Sequence, residues 1–118
     1  MAESTDAVQA QLAKLKRKYG LALPEKISSL EAAFAPLFAG SWEEQVCSTA
    51  YRQVHSLAGS SGTYGYTDLG LLARSVEALI KQSLDSRSAL PAARKAEVDG
   101  LMAQLREQAM EAARQASL

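Results

Sequence analysis

The sequence predicts an all-α protein: an up-and-down antiparallel four-helix bundle with an additional N-terminal helix. Strand signals are nearly absent, with no sustained apolar–polar alternation and few β-branched residues. Ala, Leu, Glu, Lys, Gln and Arg, which favour helices, fill most of the chain. The breaks between its periodic apolar stretches are short, which makes consecutive helices antiparallel neighbours.

Five helical segments follow in order. The first spans about Thr5 to Tyr19 with Val8, Leu12, Leu15 and Tyr19 on one stripe, and Gly20 suits a C-cap. The second begins near Pro24, a good first-turn proline, and buries Ile27, Leu30, Phe34 and Leu37 or Phe38. Pro36 should end or kink it before Gly40. In "SWEE", Ser41 and Glu44 have capping-box spacing and mark the start of a third helix, expected to be the longest. The fourth starts near Thr67 and carries Leu69, Leu72, Val76, Leu79 and Ile80. The fifth starts near Pro91, with Val98, Leu101, Leu105 and Ala109 or Ala112 facing inward. Trp42, Phe34 and Phe38 read as core or helix-junction packing, and Met102 and Met110 as core filler.

A chain of 118 residues suits one domain, residues 1–118. Lys+Arg and Asp+Glu balance at 13 each, so net charge points to neither nucleic acid nor a membrane surface. The one local bias is "KLKRK", Lys14 to Lys18, which reads as a solvated helix end. A lone Cys47 forms no internal disulfide and suits a reducing compartment, where it reads as a small semi-buried residue. The N-terminus lacks the apolar core of a signal peptide, and no apolar run approaches 18 residues, so the expected location is cytoplasmic.

The chemistry concentrates in "HSLAGSSGTYG", His55 to Gly65, which holds the only histidine among three glycines and three serines. The third helix has the inward stripe Val46, Ala50, Val54, Leu57, Ser61 and Tyr64. At 100° per residue His55 falls about 160° from Leu57, on the outward face. Ser48, Arg52, Gly59 and Gly62 share that face, with Tyr51 at its border. Each mid-helix glycine costs roughly 1 kcal/mol relative to alanine and gains nothing on a solvated surface. A bare surface around the ring would instead let another protein bring a reactive group to it. A single histidine argues against a His-based metal site, and no Ser-His-Asp set points to hydrolysis.

The stretch "HSLAGSSGTYGYTDLGLLARSVEAL" resembles the signature of histidine-containing phosphotransfer (HPt) domains of bacterial phosphorelays. That family's pattern is roughly H-x-L-K-G-[SA]-[SA]-x-x-x-G, followed by a leucine and an L-E-like end. The matching positions are His55, Leu57, Gly59, Ser60, Ser61, Gly65, Leu69, Leu72 and Glu77, in a motif core within residues 41–84. One position departs from it: the lysine three residues after the histidine is Ala58. In the family that lysine helps neutralise the incoming phosphoryl group, so Arg52, Arg74 and Lys81 are the candidate replacements.

The resemblance implies that His55 accepts a phosphoryl group from a receiver-domain aspartate and passes it to another receiver. The partners expected are response-regulator receiver domains and a hybrid sensor histidine kinase, with the protein itself monomeric. No cofactor of its own is expected, and Mg2+ would sit on the receiver. There is no "GxxxxGK[ST]" loop and no room for an ATP-binding domain, so self-phosphorylation from ATP is not expected. Ungapped alignment sets Glu77 opposite His55, where it would accept the Nδ1 proton and leave Nε2 as nucleophile. Glu77 also has the spacing of an ordinary helix ion pair with Arg74 or Lys81. Ser48, Tyr51, Gly59 and Gly62 form the expected docking surface. The alternative function is an unphosphorylated adaptor of the same fold that binds or sequesters a receiver. A weaker third reading is the phospho-accepting domain of a histidine kinase.

Overall fold

The structure, a computed structural model, describes the backbone of residues 2–118 and the side chains of residues 5–118. Met1, the first residue of the expected domain, lies outside the described residues. Four helices account for nearly all of it: α1 (Ala2–Phe34), α2 (Glu44–Thr63), α3 (Thr67–Ser86) and α4 (Ala92–Ala116). Each helix packs on its sequence neighbours and α1 also packs on α4, while the backbones of the diagonal pairs lie further apart. The helices therefore stand at the corners of a square, alternating in direction. The core between them is formed by Leu23, Ile27, Leu30, Val54, Val76, Ile80, Val98 and Leu105, all nearly inaccessible to water.

The two helices expected before Gly40 are one. α1 runs 33 residues, through Gly20 and with Pro24 inside it, so there is no separate N-terminal helix among the described residues. It, not α2, is the longest helix. Gly20 is no C-cap: a β-carbon there would run into the Tyr66 hydroxyl and lie 3.4 Å from the Ala116 methyl. Its value is close approach by its neighbours. Pro24 is an interior proline, a position that costs about 3 kcal/mol. Burial of Leu23, Ile27 and Leu30 around it contributes about 1.5–3 kcal/mol each, enough to hold the helix together. Tertiary packing overrides the local breakers.

The helix does stop at Phe34, just before Ala35 and Pro36, because a residue preceding proline resists the helical region. The Ser41–Glu44 capping box does not form. α2 begins at Glu44, after an extended Glu43 that makes no side-chain cap. The Glu44 carboxylate is occupied elsewhere, accepting a 3.0 Å bond from Arg87 at the end of α3. The Arg87 guanidinium in turn lies 5.7 Å from the centre of the Trp42 ring. Tryptophan, arginine and glutamate together tie the start of α2 to the end of α3.

The expected inward positions of α2, α3 and α4 are buried or half-buried. Cys47 is fully buried, its thiol directed 3.9 Å from the Ile80 carbonyl. Two expected core stretches are not. Val8, Leu12 and Leu15 are 57%, 59% and 37% exposed, and Met110 is 53% exposed. At that end of the molecule α1 projects beyond its neighbours. No described helix is long and apolar enough to cross a membrane.

Candidate functional site

The site is built where α2 and α3 cross closely. Gly70 of α3 makes the approach possible, because a β-carbon there would lie 3.3 Å from the Ala58 carbonyl and 3.4 Å from the Gly62 nitrogen. Contacts along the pair run in opposite directions: Glu44 meets Arg87, His55 meets Glu77, and Ser61 lies against Gly70. The 64–66 turn makes this reversal, with Gly65 at φ +87, a conformation glycine adopts without strain. The register sets the outward faces of α2 and α3 side by side.

His55 stands on that surface with its side chain 58% exposed, while Glu77 beside it is only 13% exposed. The His55 Nδ1 lies 3.0 Å from Glu77 Oε2, and Arg74 Nη1 donates to Glu77 Oε1 at 3.0 Å. Burial pushes the Glu77 carboxyl up, but the hydrogen bonds and charges of His55 and Arg74 outweigh it and hold the group below its ordinary value. Glu77 is therefore a carboxylate at neutral pH and can only accept. The proton of a neutral His55 ring consequently belongs on Nδ1, and the lone pair on Nε2. Nε2 has no hydrogen-bond partner among the described residues. Tyr51, one turn earlier, stacks on the imidazole at 5.9 Å between ring centres and 23° between planes.

The remaining residues expected at the site divide. Gly59 and Gly62 are exposed, and a β-carbon at either would meet nothing within 4 Å. Ser48 is half-buried two turns before His55. Arg74 is engaged by Glu77, whose carboxylate therefore contacts the histidine and the helix ion-pair partner at once. Lys81 is paired with Asp85 at 3.2 Å. Arg52 is exposed, one turn from the histidine, and has no ion-pair or hydrogen-bond partner among the described residues. Ala58 is 3% exposed, turned into the α2–α3 contact and away from the open face.

Leu71 was missed. It is 62% exposed on α3, one turn before Arg74, and adds an apolar edge to the same face. Its three-residue spacing from Arg74 is the signal the sequence carries. Among the described residues no cluster of His, Cys, Asp and Glu could hold a metal ion.

A family model for the Hpt domain matches residues 6–116, nearly the whole chain. The chain belongs to the Hpt domain family. No curated protein and no solved structure matches it. Membership implies a phosphotransfer-type function in two-component signalling, a setting in which Hpt domains interact with receiver domains and kinases.

Proposed function

We propose that His55 is the phosphoryl-carrying residue, accepting the group from an aspartyl phosphate on a receiver domain and passing it to a second receiver. The observation that carries this is the exposed imidazole whose Nδ1 is held by a carboxylate and whose Nε2 is left open. Nε2 attacks phosphorus, the N–P bond forms as the acyl-phosphate P–O bond breaks, and the aspartate leaves as its carboxylate. The ring keeps its Nδ1 proton and gains positive charge, which Glu77 stabilises from 3.0 Å. The reverse sequence loads the next receiver.

Such transfers need alignment and charge compensation more than covalent chemistry from the protein. Tyr51 and Glu77 fix the ring. Arg52 is the cation free to meet the phosphoryl oxygens and takes the part of the lysine that Ala58 replaces. Arg74 serves through Glu77, holding its second oxygen. Gly59, Gly62 and Leu71 receive the incoming domain, which brings its own Mg2+. The expected location is the cytoplasm.

The test is transfer from a labelled, phosphorylated receiver to the protein and to His55→Gln. One phosphoryl group should appear on the protein, acid-labile and alkali-stable, and be absent from the variant. Binding to receivers without any such gain would reject this function in favour of the sequestering adaptor.

A further inference from the structure

Two side chains flank the imidazole of His55, and only one of them holds it by a hydrogen bond. Glu77 reaches Nδ1 from α3 at 3.0 Å. Tyr51, four residues earlier on α2, stacks on the ring, with 5.9 Å between ring centres and 23° between planes. Side chains four residues apart on a helix meet because both lean towards its N-terminus. Tyr51 is half-buried and packed against the core, which holds its ring in place beside an imidazole that is 58% exposed. Its hydroxyl bonds to no described residue, so what it offers His55 is the aromatic ring alone.

That ring has a use that depends on the charge of the histidine. The imidazole that attacks is neutral, with its proton on Nδ1 and a lone pair on Nε2. When Nε2 takes the phosphoryl group, the lone pair becomes the N–P bond, Nδ1 keeps its proton, and the ring becomes an imidazolium. When the group leaves for an aspartate oxygen, the bonding pair returns to Nε2 and the ring is neutral again. An aromatic ring with its centre within about 6 Å of a cation attracts the cation electrostatically, which favours the charged ring over the neutral one. The phosphoryl side of the site has few cations to spare. Position 58 is a buried alanine, Lys81 is paired with Asp85, and Arg74 is paired with Glu77. The stabilisation built into this site therefore falls mainly on the ring.

We propose that Tyr51 sets how far the phosphoryl group favours His55 over the receiver aspartate, by stabilising the phosphorylated imidazolium through its aromatic ring. The inference rests on the phosphotransfer reading of His55 and adds to it what decides the balance between loaded and empty histidine. Tyr51 acts through the imidazole and takes no part in bond making, so it is a positioning residue. A residue that only docks the receiver or orients the imidazole changes transfer in both directions alike. One that stabilises the charged ring moves the equilibrium itself.

The experiment measures transfer in both directions between the protein and a receiver domain charged with acetyl phosphate, and takes the ratio of forward to reverse rate constants. Tyr51→Leu should lower that ratio by about two- to five-fold. Tyr51→Phe should recover most of it, since only the unbonded hydroxyl is lost. Mono- and then trifluorinated phenylalanine at position 51 should lower it stepwise towards the Tyr51→Leu value, because fluorine withdraws charge from the face of the ring while nearly keeping its shape. A ratio unchanged by Tyr51→Leu, or flat across the fluorinated series, overturns the proposal, leaves phosphotransfer standing and assigns Tyr51 to docking alone. A wild type that gains no phosphoryl group from any receiver overturns the phosphotransfer reading, and this inference with it.

Discussion

The two faces of α2 use the same twenty-residue helix for opposite ends. Inward, Val54, Leu57 and Ser61 are buried against the rest of the bundle, and their atoms work by being covered. Outward, His55, Gly59 and Gly62 remain open to water, and in the proposed function they work by being reachable. The helix interior thus separates stability from chemistry by about half a turn. Substitutions on the two faces should therefore give opposite signatures.

His55→Gln gives the largest expected change in function, complete loss of phosphoryl acceptance, with Tm unchanged because the ring is mostly solvated. Leu57→Ala should do the reverse. It should cost about 2–5 kcal/mol of stability by chemical denaturation, while the folded fraction accepts phosphate at close to the normal rate. Loss of transfer in folded Leu57→Ala would break the division between the faces.

Glu77 of α3, largely covered yet bonded to His55, combines the two roles and should show both effects. Glu77→Gln keeps an acceptor for Nδ1 but removes the charge, and should slow transfer by roughly tenfold, a transition-state loss of about 1.4 kcal/mol. Its stability effect depends on pH. The folded-state pKa lies below the ordinary 4.5, so the carboxylate's contribution is present above that value and is lost as pH falls through the folded pKa. The stability gap between wild type and Glu77→Gln should therefore close on acidification below about 4.5, as read from denaturant midpoints against pH.

The smallest effect sharpens the comparison most. Gly59→Ala meets no neighbour and should stabilise the helix by about 0.5–1 kcal/mol. Gly59→Leu should fold equally well yet slow transfer from a receiver several-fold by filling the approach to the ring. Equal kinetics for both variants would show that the bare surface serves no docking partner.

What the sequence disclosed follows from the range of each signal. The inward stripe of α2 and the outward placement of His55 were legible because helical periodicity is local and set by the 3.6-residue turn. The continuity of α1 was not. Gly20 and Pro24 are local breakers, and what overrides them is the burial of Leu23 and Ile27 in the bundle core and the approach of Tyr66 from a distant part of the chain. The failed capping box has the same cause, since Arg87, forty-three residues away, engages Glu44. Val8, Leu12 and Leu15 show another limit: periodicity marks a face that can be covered without saying where the covering helices end. The commitments of Arg74 to Glu77 and Lys81 to Asp85 leave Arg52 as the unpaired cation of the three candidates, a distinction made by side-chain geometry alone.

The aromatic residues give the bundle an optical polarity. Trp42, the single tryptophan, lies under Arg87 where α2 begins. Tyr19, Tyr64 and Tyr66 stack at the far end of that helix, with ring centres 4.7 and 5.8 Å from Tyr19. The two groups are separated by roughly 30 Å of helix. Indole emission therefore follows one end of the molecule during unfolding, and the near-ultraviolet dichroism of the tyrosine stack follows the other. Coincident transitions would identify one cooperative unit; separated ones would show an end that opens first and name which it is.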